Sequence, residues 1–202
     1  MSTRANICVE IPASEIGKTF KFRQFSFKVM KEVYKKCKDG LHRTMHEEAE
    51  IVPRPDLIPT KKYVTIFHHW DSYPVSKTGY GLGMSLLAVD SFEKAINLVA
   101  GGDISHFHWS EYYGAIELLH QQAKDYCKTK VKREKYIQQS LHDYLPEQSD
   151  EPVAREAWGY LFRDNQWFCC SYGSDVSEWT PLRQVLADMI SGKMNIYGNY
   201  IK

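Results

Sequence analysis

The sequence predicts an α+β fold in which helices cover one face of an antiparallel sheet of about four to five strands. Several segments alternate between apolar and polar residues, as half-buried strands do, and others repeat apolar residues at helical spacing. The chain has 202 residues, of which 43% are hydrophobic and 25% charged, which suits one compact core. We therefore expect residues 1–202 to form a single α+β domain.

The predicted strands come from alternation and from turn residues. Residues 3–11 alternate strictly and place Ala5, Ile7, Val9 and Ile11 on one face. Residues 19–28 also alternate, with a change of phase that suggests a bulge. Residues 62–69 are rich in β-branched and aromatic side chains, which favours a strand. Two aromatic segments within residues 156–172 flank Arg163-Asp164-Asn165, a trio typical of a hairpin turn.

Helical spacing predicts helices in residues 29–38, 84–88, 90–100, 110–145 and 180–191. The expected start and stop signals are Asp39-Gly40 as a stop, Asp90 with Glu93 as a capping box, Gly101-Gly102 as a stop, and Thr180-Pro181 as N-cap and first helical residue. The last helix carries apolar residues at Leu182, Val185, Leu186, Met189 and Ile190. Residues 110–145 are read as two helices or as one long one.

The amino-acid composition indicates in which cellular compartment the protein is expected and which classes of partner are not expected. A net charge of +1 gives no global attraction to nucleic acid or to an anionic membrane, so neither is expected as a partner. No apolar run reaches the ~20 residues that a bilayer span requires, and the N-terminus lacks the pattern of a signal peptide. Five cysteines without a C-x-x-C pair fit free thiols in a reducing cytoplasm. We expect a soluble cytoplasmic protein.

Three segments together resemble a group of uncharacterised proteins from bacteriophages and prophages. They are STRANI at 2–7, HWDSYP at 69–74 and GLGMSLLAVDSFEKAINLVAGGDIS at 81–105. The group typically opens with STRANI and carries an HWDGYP motif, with Ser72 here at the position of the glycine. The resemblance implies a viral origin, action inside an infected bacterium and a shared fold, but no mechanism. It also implies that residues 29–61 and 110–150 are insertions.

The motif HHWDSYP at 68–74 follows a predicted strand and is the main candidate site. Alternation places His69 and Asp71 on one side of the strand, and His68 and Trp70 on the other. If the first strand pairs beside it, Arg4 and Asn6 join the same polar surface. The predicted site for a small anionic, nucleotide-like ligand, with Trp70 as its floor, comprises Arg4, Asn6, His69, Trp70, Asp71 and Tyr73.

Other interpretations of the motif remain open. It can be a buried structural network in which the polar side chains bond the backbone. His69 oriented by Asp71 can act as the general base of a hydrolase that processes a nucleotide. His106 and His108 can form a metal site with His68, His69 or Asp71, although no metal-binding signature is present.

Because the sequence contains no complete catalytic constellation, we expect a binding protein rather than an enzyme, with no cofactor and no metal. The expected partner is a small anionic ligand or a host protein. A second copy of the chain is a further candidate.

Overall fold

The structure, a computed structural model, describes residues 3–21, 27–37, 40–50, 56–69, 71–75, 81–109, 114–118 and 145–201. It is a mixed α+β fold, as predicted. Its ten described strands are β1 (Ala5–Glu10), β2 (Phe27–Cys37), β3 (Gly40–Glu50), β4 (Tyr63–His68), β5 (Ile104–Trp109), β6 (Gly114–Leu118), β7 (Glu147–Ser149), β8 (Trp158–Arg163), β9 (Gln166–Cys170) and β10 (Thr180–Pro181).

The described main sheet has eight strands in the order β10-β9-β8-β1-β4-β5-β6, with β7 paired to β4 off this path. The strand β1 lies at its centre, antiparallel to β4 and parallel to β8. The expectation of four to five antiparallel strands was therefore too low, and it missed the parallel pairs β1–β8 and β4–β5. These pairs join segments far apart in sequence, so no local turn signal reveals them.

Three described α-helices, α1 (Leu82–Leu86), α2 (Phe92–Ala100) and α3 (Leu182–Ile190), pack on one face of the sheet, and a short 3-10 helix spans Ala13–Glu15. Their buried residues join the apolar side of β1, where alternation correctly places Ala5, Ile7 and Val9 in the core. At Ile190 the predicted apolar stripe of α3 fails, since this side chain is 66% exposed.

The predicted helix starts need correction. Helix α2 is capped by Ser91, whose side chain accepts a hydrogen bond from the Lys94 N–H, while Asp90 forms an ion pair with Lys94 Nζ at 2.7 Å. At α3 the N-cap position is Pro181, because Thr180 and Pro181 extend the sheet by pairing with β9.

Two predicted helices are contradicted. Residues 29–37 lie in strand β2, which pairs with β3 in a separate two-stranded sheet that closes with Cys37 opposite Gly40. The Asp39-Gly40 pair is a common hairpin signal as well as a helix stop, and Val29 and Val33 are β-branched residues that favour a strand. Within the predicted helical region 110–145, residues 114–118 form strand β6, paired with β5. Residues 110–113 and 119–144 of that region lie outside the described residues.

The aromatic hairpin is confirmed. Strands β8 and β9 pair from Gly159 opposite Cys170 to Arg163 opposite Gln166, and Asp164 and Asn165 form the turn with φ values of 52° and 56°. Two consecutive residues in the left-handed region match the right-handed twist of the flanking strands. Across the described parts of the chain, no helix combines the length and the apolar character needed to cross a membrane.

Candidate functional site

His68, the first residue of the HHWDSYP motif, has a structural role. Its side chain is fully buried, with Nδ1 2.7 Å from Ser72 Oγ and Nε2 3.0 Å from the backbone nitrogen of Phe107. Because Nε2 accepts the Phe107 N–H, the ring proton must sit on Nδ1 and be donated to the Ser72 hydroxyl. Both ring nitrogens are therefore occupied, so His68 is not open to a metal ion or a ligand.

Ser72 connects this network to two other strands. Its N–H donates to the Thr3 carbonyl at 3.2 Å, and its carbonyl accepts the hydroxyl of buried Tyr160 at 2.8 Å. The preceding residue, Asp71, is exposed and has a φ of 53°, a left-handed conformation that aspartate tolerates better than most residues. The loop after β4 thus turns sharply at Asp71 and is hydrogen-bonded immediately afterwards to Thr3, just before β1, and to Tyr160 of β8.

The GDIS segment at 102–105 completes this fastening. Asp103 Oδ1 accepts the Phe67 N–H at 2.8 Å, and the Ile104 carbonyl accepts the His69 N–H at 3.1 Å. These bonds hold the ends of β4 and β5 together, where the ladder contains one residue pair, His68 opposite Ile104. The motif and the GDIS segment together therefore form a structural joint, by which we mean the hydrogen-bonded connection between the end of β4 and the start of β5.

The glycines before α1 allow a close approach of backbones. A Cβ atom on Gly81 would lie 2.5 Å from the Tyr73 carbonyl oxygen, and one on Gly83 would lie 2.8 Å from Pro74 Cα. The Met84 N–H also donates to the Pro74 carbonyl at 3.2 Å. These two glycines serve packing of the helix start against the motif, which positions the ring of Tyr73.

The predicted pairing of the first strand with the strand before the motif is confirmed, with Asn6 opposite Phe67. The Arg4 guanidinium carbon lies 6.0 Å from the centre of the Phe67 ring, and the rings of Phe67 and His69 are 5.7 Å apart. Burial, and secondly the positive charge of Arg4, lower the pKa of His69 below its usual value. Arg4 and His69 thus occupy one surface, as alternation predicts.

Asn6 is largely committed to the backbone of the protein. Its Oδ1 accepts the N–H groups of Arg155 at 2.8 Å and Glu156 at 3.2 Å, and its side chain is only 9% exposed. Trp70, the predicted floor, lies outside the described residues.

Arg4 and Tyr73 come together in a cleft of about 520 Å³ at one edge of the sheet. At this edge β1 and β8 begin and β4 and β9 end, since β1 runs parallel to β8 and antiparallel to β4. The lining residues are Thr3, Arg4, Tyr73, Glu156, Ala157, Trp158, Ser171, Tyr172, Gly173, Ser174, Tyr197 and Asn199. Asn6, His69 and Asp71 are not among them.

The outer wall of the cleft is held in place by hydrogen bonds of the Asp175 backbone and carboxylate. The Asp175 N–H donates to the Gly198 carbonyl at 3.1 Å, and Asp175 Oδ2 accepts the Tyr200 N–H at 2.8 Å. A Cβ on Gly198 would lie 2.8 Å from Ser174 Oγ and 3.2 Å from the indole of Trp158, so only glycine fits here. The wall that carries Tyr197 is therefore pre-formed.

The two charged residues that line the cleft, Arg4 and Glu156, have opposite signs and do not form an ion pair with each other. Arg4 is exposed and Glu156 is half-buried. Ion pairs in the described part of the chain join other side chains, including Arg155, whose guanidinium binds both carboxylate oxygens of Glu147 at 2.9 and 3.0 Å. Arg4 and Glu156 thus remain available to a bound molecule.

Neither metal binding nor a catalytic pair is assembled in the described residues. They contain no group of three or more His, Cys, Asp or Glu side chains placed to hold a metal ion, and no hydrogen bond between His69 and Asp71. The backbone of β5 does run beside the end of β4, but the side chains of His106 and His108 lie outside the description.

Sequence reasoning missed the aromatic and acidic residues of the cleft, namely Glu156, Trp158, Tyr172 and Tyr197. A signal for Glu156, Trp158 and Tyr172 was present, because the two ends of a hairpin must meet, and these residues lie at the ends of the predicted hairpin. Nothing in the sequence places Tyr197 beside them.

Comparisons with protein-family models, with curated proteins and with solved structures found no match to this chain.

Proposed function

We propose that this chain is a small phage-encoded binding protein that acts in the cytoplasm of the host bacterium by sequestering an anionic, nucleotide-like ligand. One observation carries the proposal. Arg4, an exposed residue, lines a cleft of about 520 Å³ that three tyrosines, Tyr73, Tyr172 and Tyr197, also line. Guanidinium groups bind phosphate through paired, charge-assisted hydrogen bonds, and tyrosine rings stack on bases.

The electrostatics of Arg4 support a ligand at this point. Its described neighbour is the Phe67 ring, 6.0 Å away, and no carboxylate in the described residues pairs with it. A phosphate would therefore gain a full charge-assisted interaction without displacing an internal partner. The cleft volume falls within the range of about 300–1,000 Å³ that is typical of small-molecule sites.

The tyrosines support an aromatic component in the ligand. Tyr172 is 95% exposed and Tyr197 is 59% exposed, so both rings have faces available for stacking. The Tyr73 ring is half-buried and packs edge to face on Tyr197, with ring centres 6.0 Å apart. Two rings braced against each other beside a third that stands free form a platform for a planar base.

The viral origin and the action on the host rest on the resemblance of STRANI and HWDSYP to phage proteins. A protein of this kind sequesters its ligand if binding is tight and turnover is absent. Both properties are measurable on the purified chain.

Isothermal titration calorimetry with a panel of nucleoside monophosphates and cyclic nucleotides tests the proposal. We expect saturable binding of at least one member, with affinity reduced about 10-fold or more by Arg4→Ala, since a hydrogen bond to a charged group contributes about 1.5–3 kcal/mol. Tyr172→Ala removes a stacking surface and should weaken binding by about 1–3 kcal/mol.

Arg183→Ala is the matched control. Arg183 is also an exposed arginine, but it lies near the β8–β9 turn at the opposite edge of the sheet, beside Asn165 and Gln166. Its removal should leave nucleotide affinity unchanged. Absence of binding across the panel, or equal binding by the Arg4→Ala and Arg183→Ala variants, would refute the proposal and shift weight to a host protein that docks on the exposed tyrosines.

A hydrolase that uses His69 remains the alternative. The lowered pKa of His69 keeps its imidazole neutral near pH 7, as a general base requires. Incubation of each bound nucleotide with the protein, followed by chromatography of the products, separates the alternatives. Turnover that is lost in His69→Ala would favour the enzyme.

A further inference from the structure

The cleft holds an acidic side chain that a phosphate site alone does not need. Glu156 lines the same cleft as Arg4, and its backbone is supported there because its N–H donates to Asn6 Oδ1 at 3.2 Å. Glu156 is half-buried, and its carboxylate has no hydrogen bond or ion pair to the described residues. It lies at the junction with a second hollow of about 440 Å³, which shares Glu156, Ala157 and Tyr172 with the cleft.

Arg4 and Glu156 do not neutralise each other. Among the described residues, no ion pair includes the side chain of Arg4 or that of Glu156. The neighbouring cation, Arg155, is bound to Glu147 through two hydrogen bonds instead. The cleft is therefore lined by one positive and one negative residue that do not pair, and a ligand that carries both an anion and hydrogen-bond donors complements them.

We infer that the ligand is a guanine nucleotide, with its phosphate on Arg4, its base against Tyr172 and the Watson–Crick edge of the base on Glu156. This inference rests on the proposed function and names its ligand class. A carboxylate offers two acceptor oxygens and no donor. Guanine presents two adjacent donors on that edge, the ring N1–H and the exocyclic amine, which match the two oxygens.

The other bases fit a carboxylate less well. Adenine and cytosine each place a ring-nitrogen acceptor next to their amine, so one carboxylate oxygen would face a lone pair. Uracil places its single ring N–H between two carbonyl oxygens. A site built around hydrogen bonds discriminates strongly against ligands that leave its polar groups unpaired. Glu156 is thus a specificity determinant, and Arg4 binds the phosphate common to all nucleotides.

Calorimetric titration of the whole chain with GMP, IMP and AMP tests the inference, because IMP keeps the ring N1–H of GMP and lacks its exocyclic amine. We expect GMP to bind about 10-fold or more tightly than IMP or AMP. In Glu156→Gln, the GMP affinity should fall about 10-fold and the ratio of GMP to IMP affinity should approach about one, while AMP affinity stays within about 3-fold of wild type. Arg4→Ala should weaken all three nucleotides together.

Glu178→Gln is the matched control, since Glu178 is an exposed carboxylate that does not line the cleft. Thermal melting of each variant verifies that it is folded. Equal affinities for the three nucleotides in wild type, all dependent on Arg4, would overturn the guanine inference and leave the proposed function intact. A GMP preference that survives Glu156→Gln would overturn the role of Glu156. Absence of all nucleotide binding would overturn the proposed function itself.

Discussion

Replacing Ser72 by alanine tests whether the buried part of the HHWDSYP motif is a structural joint. The change removes the hydroxyl oxygen that lies 2.7 Å from His68 Nδ1 and thus deletes a buried hydrogen bond of that nitrogen. Both side chains are fully buried, so bulk water does not reach the site. A buried donor without a partner costs about 1–3 kcal/mol. For a chain of this length that corresponds to a decrease in Tm of about 2–12 °C.

Urea unfolding followed by tryptophan fluorescence measures this effect. The midpoint should fall while the slope of the free energy with urea stays the same, because the native surface is unchanged. Ser14→Ala is the control, since the Ser14 hydroxyl is exposed and its contact with Glu15 is 3.5 Å long. That substitution should change the free energy of unfolding by less than about 0.5 kcal/mol.

The result that would refute the reasoning is a Ser72→Ala variant as stable as the Ser14→Ala control. In that case the bond between His68 and Ser72 would contribute nothing, and the motif would need another explanation. The folded Ser72→Ala variant should also keep the nucleotide affinity of wild type, because Ser72 does not line the cleft. A stable variant that had lost binding would instead place Ser72 in the ligand site.

Three further predictions follow from the structure. Gly81→Ala should destabilise the protein by about 1–3 kcal/mol in urea unfolding, because the added Cβ would lie 2.5 Å from the Tyr73 carbonyl oxygen and force the loop to shift. Burial raises the pKa of the Cys8 thiol from 9.0 to about 11, so the unfolded thiol ionises first and stability should decline as the pH rises above 9; the decline should be shallower in Cys8→Ala. Arg4→Ala should raise the pKa of His69 in an NMR titration, because Arg4 contributes to its lowering.

The strand with the strictest alternation in sequence, β1, was predicted well, although its second face is buried too, at Asn6 and Cys8. In β1 the residues Ala5, Ile7 and Val9 are fully buried in the main core, as strict alternation indicates. The segment that contains Val29, Val33 and Tyr34 was predicted wrongly, because these apolar residues fit a helical stripe as well as a strand. Short apolar patterns of this kind do not distinguish the two structures without a partner strand.

The candidate site was predicted in part for a related reason. The sequence analysis assumed that β1 pairs with β4, and alternation then placed Arg4 and His69 on one surface. Both the pairing and the proximity of Arg4 to His69 are correct. The parallel pairing of β1 with β8 spans about three quarters of the chain, since Ala5 lies opposite Trp158. That pairing places Glu156 beside the cleft. No local sequence pattern near residue 5 or residue 158 predicts the pairing.

Asn6 illustrates how a polar residue can serve a site without touching the ligand. Its Oδ1 accepts the N–H groups of Arg155 and Glu156, and so fixes the backbone of both residues against β1. Of the two, Arg155 is bound by Glu147 outside the cleft, and Glu156 faces the cleft without an internal partner. If this amide were lost, the backbone of Glu156 would lose the hydrogen bond that supports it beside the cleft. Base preference should then weaken more than phosphate binding, because the amide bonds the backbone of Glu156 directly, whereas the Arg4 carbonyl accepts the Trp158 N–H at 3.3 Å.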